Sequence, residues 1–385
     1  MDFDIKIPVR VISGKDCLKN NAIMLKSFGK KCIIITGGKS ALLSGALDDM
    51  KFALKECDIK YEIYDKIGPN PRIDHCHEAG EIARKFGADF IVGIGGGSPL
   101  DAAKAVAVYA TNPSFSAEEI FNFGEHERNK ALPLVLVGTT AGTGSEVGRV
   151  SVLTNPDTGR KRSIAPDDCF PTLTFADSKY TCSVPYSVTV STALDAMAHV
   201  IEGYMSVKCG DIPTMFGEKA IAFIWEGLKY LHKTKENPDE ELRTKLYYGS
   251  LYAGITLAYC GTAFPHPLGY ILTENYGVPH GKACTVFMGD FIDKAEKFCP
   301  EKTARVLEIM GTDIDTYKKV IDELTDVKDI VMTKEEIENF CARYDTVPAN
   351  FTFTPGGYTK EDLQLIDIGK LETLAKAEEF IHQIH

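Results

Sequence analysis

Up to about residue 180, short apolar runs rich in β-branched residues alternate with stretches of helical periodicity. "KCIIITGG", "KYEIYD", "DFIVGIGGGS" and "PLVLVGTT" read as buried strands, each ending in glycine, threonine or a turn. Between them, "SGALDDMKFALKEC" and "HEAGEIARKFG" carry the apolar spacing of helices. Strand-helix alternation of this kind predicts a doubly wound, mostly parallel sheet, whose ligands gather beyond the carboxyl ends of the strands. After "SVPYS" the period changes. "TMFGEKAIAFIWEGLKYLHK", "EELRTKLYYGSLYAGITLAY" and "TYKKVIDELTDV" are helical, and "TKEEIENFCARY" opens with a capping box from Thr333 to Glu336. A short strand near "NFTFTPGG" is the one exception expected. The reading is an α/β nucleotide-binding domain over 1–180 followed by an all-helical domain over 181–385.

Composition agrees with two domains, because 385 residues exceed what one hydrophobic core usually supports. The net charge of −11 argues against a nucleic-acid or anionic-membrane surface. No apolar run reaches the roughly 20 residues that span a bilayer. The opening "MDFDIKIPVRVISG" alternates like a strand and lacks the layout of a signal peptide, so a cytoplasmic protein is expected. Eleven scattered cysteines without a CxxC pair suit reduced thiols.

The strongest local signal in the first domain is "VGIGGGSPLDAAKAVAV". Gly95, Gly96 and Gly97 follow a strand and precede a helix. Ser98 reads as N-cap, Pro99 suits the first turn, and Asp101 completes a capping box. Exposed N–H groups at such a turn favour an anion such as a pyrophosphate, although a stiff, well-capped turn would look the same. A second turn, Gly37, Gly38, Lys39 and Ser40, offers a lysine and a hydroxyl where NAD sites often carry a carboxylate, which suits the extra phosphate of NADP. Thr139, Thr140 and Thr143 in "VGTTAGTGSEV" add hydroxyls after another strand.

In "STALDAMAHVIEGYMS", Asp195 and His199 stand four apart on one helix face within an apolar run. A structural Asp–His pair is one explanation, and a cation is the other. "FPHPLGYILTENYGVPHGKAC" adds His266 and His280, with Gly277 and Pro279 breaking the helix so that His280 opens the next one. One carboxylate and three imidazoles suit Fe(II) or Zn(II) far better than Mg or Ca, and such a centre can polarise a carbonyl. His75 and His77 in "DHCHE" and His382 and His385 in "HQIH" read as solvated, and Cys260 and Cys284 as small packing residues.

Taken in order, "GGGSPLDAAKA", "GTTAGTGSEV", "TGRKRSI", "DAMAHVIEGYMS" and the H-x13-HG stretch ending in "VPHGKAC" resemble the iron-containing (group III) alcohol dehydrogenases, within the dehydroquinate synthase-like superfamily. The resemblance spans roughly residues 5 to 365. It implies an active site in the cleft between the two domains, with Asp195, His199, His266 and His280 as the metal ligands. It further implies Gly96, Gly97 and Ser98 as the pyrophosphate loop, the three threonines as cofactor lining, Lys161 at the nicotinamide ribose, and Asn70 on the adenosine side. Many members carry a histidine four residues after the position of His266. Tyr270 stands there, a candidate for proton transfer or substrate contact. The resulting expectation is a metal-dependent, NADP(H)-linked alcohol dehydrogenase or aldehyde reductase acting on small primary alcohols, forming a homodimer. The alternative is a polyol or functionalised-aldehyde dehydrogenase using NAD(H) and zinc.

Overall fold

The computed structural model describes residues 5–122, 128–327, 330, 333–342 and 349–357. Strands β1 (Arg10–Ser13), β2 (Lys31–Ile35), β3 (Lys60–Tyr64), β4 (Phe90–Gly95), β5 (Leu134–Gly138) and β8 (Leu173–Ala176) form one sheet in the order β1-β8-β5-β4-β2-β3. Every neighbouring pair is parallel. The central strands are apolar on both faces because both are covered. Ile33, Ile35, Ile91, Leu134 and Leu136 pack on helices α4 (Ile73–Phe86) and α5 (Gly97–Thr111). Cys32, Ile34, Val92, Val135 and Phe175 pack the other way, on α1 (Cys17–Asn20) and α3 (Ala46–Glu56). A short α2 (Ser40–Leu43) follows β2. The chain leaves β2 toward β3 and returns to place β4 on the opposite side of β2. The carboxyl ends of β2 and β4 therefore flank a topological switch point, where doubly wound sheets bind their ligands.

Four strands depart from the sequence reading, among them β8, which it did not name. "KYEIYD" is no buried strand: β3 is the sheet's last strand, and Lys60, Tyr61, Glu62 and Ile63 are exposed with only Tyr64 buried. Membership of the edge is a tertiary property that a β-branched run does not encode. An antiparallel hairpin of β6 (Ser151–Thr154) and β7 (Lys161–Ile164) was not expected either. Its signal was present in "TNPDTGR", whose Asn155 side chain accepts the Asp157 amide at 2.8 Å to shape the turn.

Beyond β8 the described residues form no further strand. Nine helices follow among them: α6 (Tyr186–Met205), α7 (Asp211–Thr234), α8 (Glu240–Cys260), α9 (Pro265–Tyr276), α10 (His280–Thr285), α11 (Met288–Phe298), α12 (Pro300–Met310), α13 (Ile314–Thr325) and α14 (Lys334–Ala342). The segment "NFTFTPGG" is a 3-10 turn over Ala349–Phe353 rather than a strand. The Thr333 hydroxyl and Glu336 carboxylate do exchange the two expected capping bonds. Helix α6 is the axis of this part, with Leu194, Met197, Val200 and Ile201 sealed in its core. It packs on α7, α8, α10 and α13, so any polar side chain pointing inward from α6 needs a partner supplied by another helix. No helix of the described residues is long and apolar enough to cross a membrane.

Candidate active site

Three buried polar residues of α6, Asp195, His199 and Glu202, carry ionisable groups inward. Asp195 and His199 share a face one turn apart, with His199 Nε2 3.7 Å from Asp195 Oδ1. Helix α9 starts with Pro265 in its first turn and so brings in His266, whose Nε2 is also 3.7 Å from that oxygen. Helix α9 ends at Tyr276, and α10 begins at His280, whose Nε2 is 3.8 Å from the same Oδ1. The His199 and His266 rings stack at 4.6 Å, and His266 and His280 meet edge to face at 5.5 Å. Helix α10 can lie this close to α6 because residue 281 has no side chain. A Cβ on Gly281 would sit 1.9 Å from the Ser191 carbonyl and 2.9 Å from Asp195 Cβ.

Asp195 Oδ1 and His266 Nε2 are buried and lack any hydrogen-bond partner. Leaving both so is costly unless a cation satisfies them. Around an ion bonded at about 2.1 Å, tetrahedral donors stand about 3.4 Å apart, a few tenths inside the spacing seen here. The residues thus fit a borderline divalent metal. His266 is prepared for it by Glu202. Glu202 Oε1 accepts a hydrogen bond from His266 Nδ1–H at 2.6 Å while Oε2 accepts the Ala263 amide at 2.8 Å, which turns Nε2 toward Asp195. The sequence reading overlooked Glu202. Its signal was a second carboxylate seven residues after Asp195 in the same apolar helix.

Charge follows burial and the neighbours. Burial keeps His199 and His280 neutral, lowering them to about 4 and about 3. Burial alone would raise Asp195, but the imidazoles outweigh it and hold the carboxyl well below the usual range. For His266 burial disfavours the cation, yet Cys284 and Glu202 push it up. At neutral pH the cluster offers an anionic carboxylate and neutral rings at His199 and His280.

Tyr270, one turn along α9 from His266, stacks on the His280 ring at 5.6 Å, and burial pushes its phenol up. The Lys161 ammonium lies 5.4 Å from the Tyr270 ring centre, while its amide bonds Glu274 at 3.0 Å, so β7 is fastened to α9. Burial lowers the Lys161 ammonium. Cys284 needs more than its expected packing role. It is buried, yet its Sγ lies 3.6 Å from His280 Nδ1 and within 4.8 Å of donor atoms of Asp195, His266 and His280. Cys260 is buried, as expected of a packing residue.

At the nucleotide end, α5 begins at Gly97 with Gly96 as its N-cap, and no side chain caps it. The expected Ser98–Asp101 capping box is absent. Asp101 turns inward, accepting the Ser145 hydroxyl at 2.5 Å and the Val152 amide at 2.9 Å. It therefore faces the loop and hairpin rather than the turn where a nucleotide would lie. The buried Lys104 beside it donates to Ser145 O, Ser145 Oγ and Val150 O. Together they tie the loop after β5 to α5. That loop closes on the glycine turn, since a Cβ on Gly97 would meet Thr143 Cγ2 at 2.5 Å and one on Gly96 would meet Thr140 at 3.2 Å. Thr139 bonds through its amide to Gly95 O at 2.9 Å, and its hydroxyl is buried without a partner. Gly37 to Ser40 follow β2 beside this turn, with Lys39 exposed. Asn70 is exposed and left-handed (φ 57°) just before α4. His77, expected to be solvated, is half-buried with Nε2 2.9 Å from the Phe115 carbonyl. His382 and His385 lie outside the described residues.

Residues 8–178 match the family model for iron-containing alcohol dehydrogenase, and residues 189–349 match the C-terminal model of the Fe-containing alcohol dehydrogenase family. The chain belongs to the iron-containing alcohol dehydrogenase family. It is 30% identical to alcohol dehydrogenase 4 of Schizosaccharomyces pombe over 83% of this chain and 75% of that one. Identity to the NADPH-dependent butanol dehydrogenase of Clostridium saccharobutylicum is 28%, over 88% and 86%. The crystal structure of an iron-containing alcohol dehydrogenase superimposes with a TM-score of 0.88 at 33% identity, covering 97% of this chain and 99% of that one. A sulfoacetaldehyde reductase from Bifidobacterium kashiwanohense, solved with NAD+, gives 0.85 at 26%, over 97% and 99%. Members of this family of alcohol oxidoreductases use a nicotinamide nucleotide and a metal, and the parallel sheet and helical part seen here are its architecture.

Proposed function

We propose that this chain interconverts small aldehydes and primary alcohols with NADP(H), at an Fe(II) or Zn(II) ion held by Asp195, His199, His266 and His280. The observation that carries the reading is the convergence of three imidazole nitrogens, at 3.7, 3.7 and 3.8 Å, on one buried carboxylate oxygen that has no hydrogen-bond partner. When bound, the ion supplies Lewis acidity at the substrate oxygen, and the reduced nicotinamide supplies hydride. The chain's own residues do the positioning. Backbone N–H groups at Gly96, Gly97 and Ser98 receive the pyrophosphate at the start of α5. Thr139, Thr140 and Thr143 line the nucleotide, Lys161 reaches its ribose, and Asn70 lies toward the adenosine. Lys39 and Ser40 meet the extra phosphate of NADP. Tyr270 walls the pocket, and its phenol, pushed up by burial, keeps its proton and donates a hydrogen bond toward the substrate oxygen. Asp101, bonded to the Ser145 hydroxyl and the Val152 amide, holds the loop in place of contacting the nucleotide. Strand β1, outermost in the sheet of the described residues, is where a second copy would pair in a homodimer, and the cytoplasm is the proposed site of action.

The test is NADPH oxidation with butanal by metal-stripped protein, with Fe(II) or Zn(II) restored anaerobically and NADH run in parallel. Metal-restored turnover that favours NADPH is expected. The His280→Ala variant should lose that turnover while still binding NADPH; loss of nucleotide binding with the metal retained would contradict the assignment. The second reading, a functionalised-aldehyde reductase using NADH, draws on the likeness to the NAD+-bound sulfoacetaldehyde reductase. Activity only with NADH and an anionic aldehyde would select it.

A further inference from the structure

Cys284 stands four residues after His280 on α10, so both side chains leave the same face of the helix. One donor atom each from Asp195, His266, His280 and Cys284 lies within 4.8 Å of every other. The sulfur is 3.6 and 3.8 Å from the two His280 nitrogens. Donors on opposite sides of one ion, at about 2.3 Å for sulfur and 2.1 Å for nitrogen, can stand no more than about 4.4 Å apart. These four donors, a set that does not include His199, need to contract by only a few tenths of an ångström to share one ion, and His199 reaches it from its place 3.7 Å from Asp195 Oδ1. A second observation points the same way: Asp195 Oδ1 and His266 Nε2, each on a side chain about 95% buried, face this space without any partner.

We propose that Cys284 is a fifth ligand of the metal in this chain, so that the site takes a borderline-soft divalent cation through one carboxylate, three imidazoles and one thiolate. The proposal rests on the metal-site reading above and adds a donor to it. Cys284 is fully buried, whereas the His280 side chain is 30% exposed. The sulfur thus approaches from the protein side and leaves the cleft side to the substrate oxygen. On binding, the S–H bond breaks, the sulfur pair forms the bond to the cation, and the proton leaves to water, so uptake releases a proton. Two anionic donors balance a divalent charge, which eases its burial. A thiolate also shifts selection toward Zn(II) and away from Fe(II) at equal availability.

The experiment is anaerobic reconstitution of the full chain with Co(II), read by absorption, for wild type, Cys284→Ser, Cys284→Ala and the control Cys260→Ser. Wild type and the control should show visible d–d bands together with an intense near-ultraviolet thiolate-to-cobalt band. Both Cys284 variants should keep the d–d bands and lose the near-ultraviolet one. Their Zn(II) affinity, measured by chelator competition, should fall at least ~10-fold. A wild-type spectrum with d–d bands but no thiolate band overturns the proposal and leaves the four-ligand site standing. So does a thiolate band that survives in Cys284→Ser, or unchanged Zn(II) affinity. Absence of d–d bands in wild type overturns the metal-site reading and this proposal with it.

Discussion

Replacing Gly281 with alanine perturbs the site without removing any ligand. The added methyl would lie 1.9 Å from the Ser191 carbonyl oxygen and 2.9 Å from the backbone nitrogen of Asp195, where ordinary contact begins at 3.4 Å. Both obstacles are backbone atoms of α6, a helix packed in the core, so neither can swing aside. Helix α10 must then retreat by about 1.5 Å, at an overpacking cost of roughly 1–3 kcal/mol. His280 precedes Gly281 and moves with it. Its Nε2, now 3.8 Å from Asp195 Oδ1, would pass about 5 Å, beyond the span one ion can bridge. A displacement of this size is worth about 100-fold in turnover. The expected result is kcat/KM for butanal reduced by at least ~100-fold, with bound metal lost and the NADPH dissociation constant unchanged. Full metal content with kcat/KM within about threefold of wild type would refute the claim that this contact sets the site.

Four further outcomes are expected. Lys104→Met leaves the buried Asp101 carboxylate without its ammonium, 3.7 Å away, and should cost about 3–5 kcal/mol in urea unfolding; a change under about 1 kcal/mol would show that the network carries no load. Glu202→Gln should weaken metal binding about 10–100-fold in chelator competition by releasing the His266 tautomer, and unaltered affinity would count against that role. Lys39→Ala should raise KM for NADPH by about 10-fold or more and leave KM for NADH alone, and equal effects on the two would place Lys39 away from the extra phosphate. Burial would raise Asp168, but its two bonds from Arg128, at 2.6 and 2.7 Å, outweigh this and hold the carboxyl low. A lowered folded-state value means stability that is present above the unfolded value near ~3.9 and lost as pH falls through the folded one. The Tm advantage of wild type over Asp168→Asn should therefore be constant from about pH 5 to 7 and shrink below about 4, and an advantage undiminished at pH 3 would contradict the pairing.

Much of this protein is written locally. The continuous apolar runs at β2, β4 and β5 announce strands covered on both faces, because only such strands need no polar side. The i, i+4 spacing of Asp195 and His199 and the helix break before His280 are also local, since helix geometry alone puts a side chain on a given face. The family follows from the order of short motifs along the chain. What the sequence did not show depends on which distant segments meet. β3 lost its buried status because it fell at the sheet edge, and Asp101 abandoned its helix cap because Ser145 and the Val152 amide came within reach. Glu202 and Cys284 look like an ordinary carboxylate and an ordinary buried thiol until α9 and α10 fold against α6. Periodicity fixes the face a residue occupies. Only packing decides what stands opposite, and at this site it sets Glu202 against His266 and Cys284 beside His280.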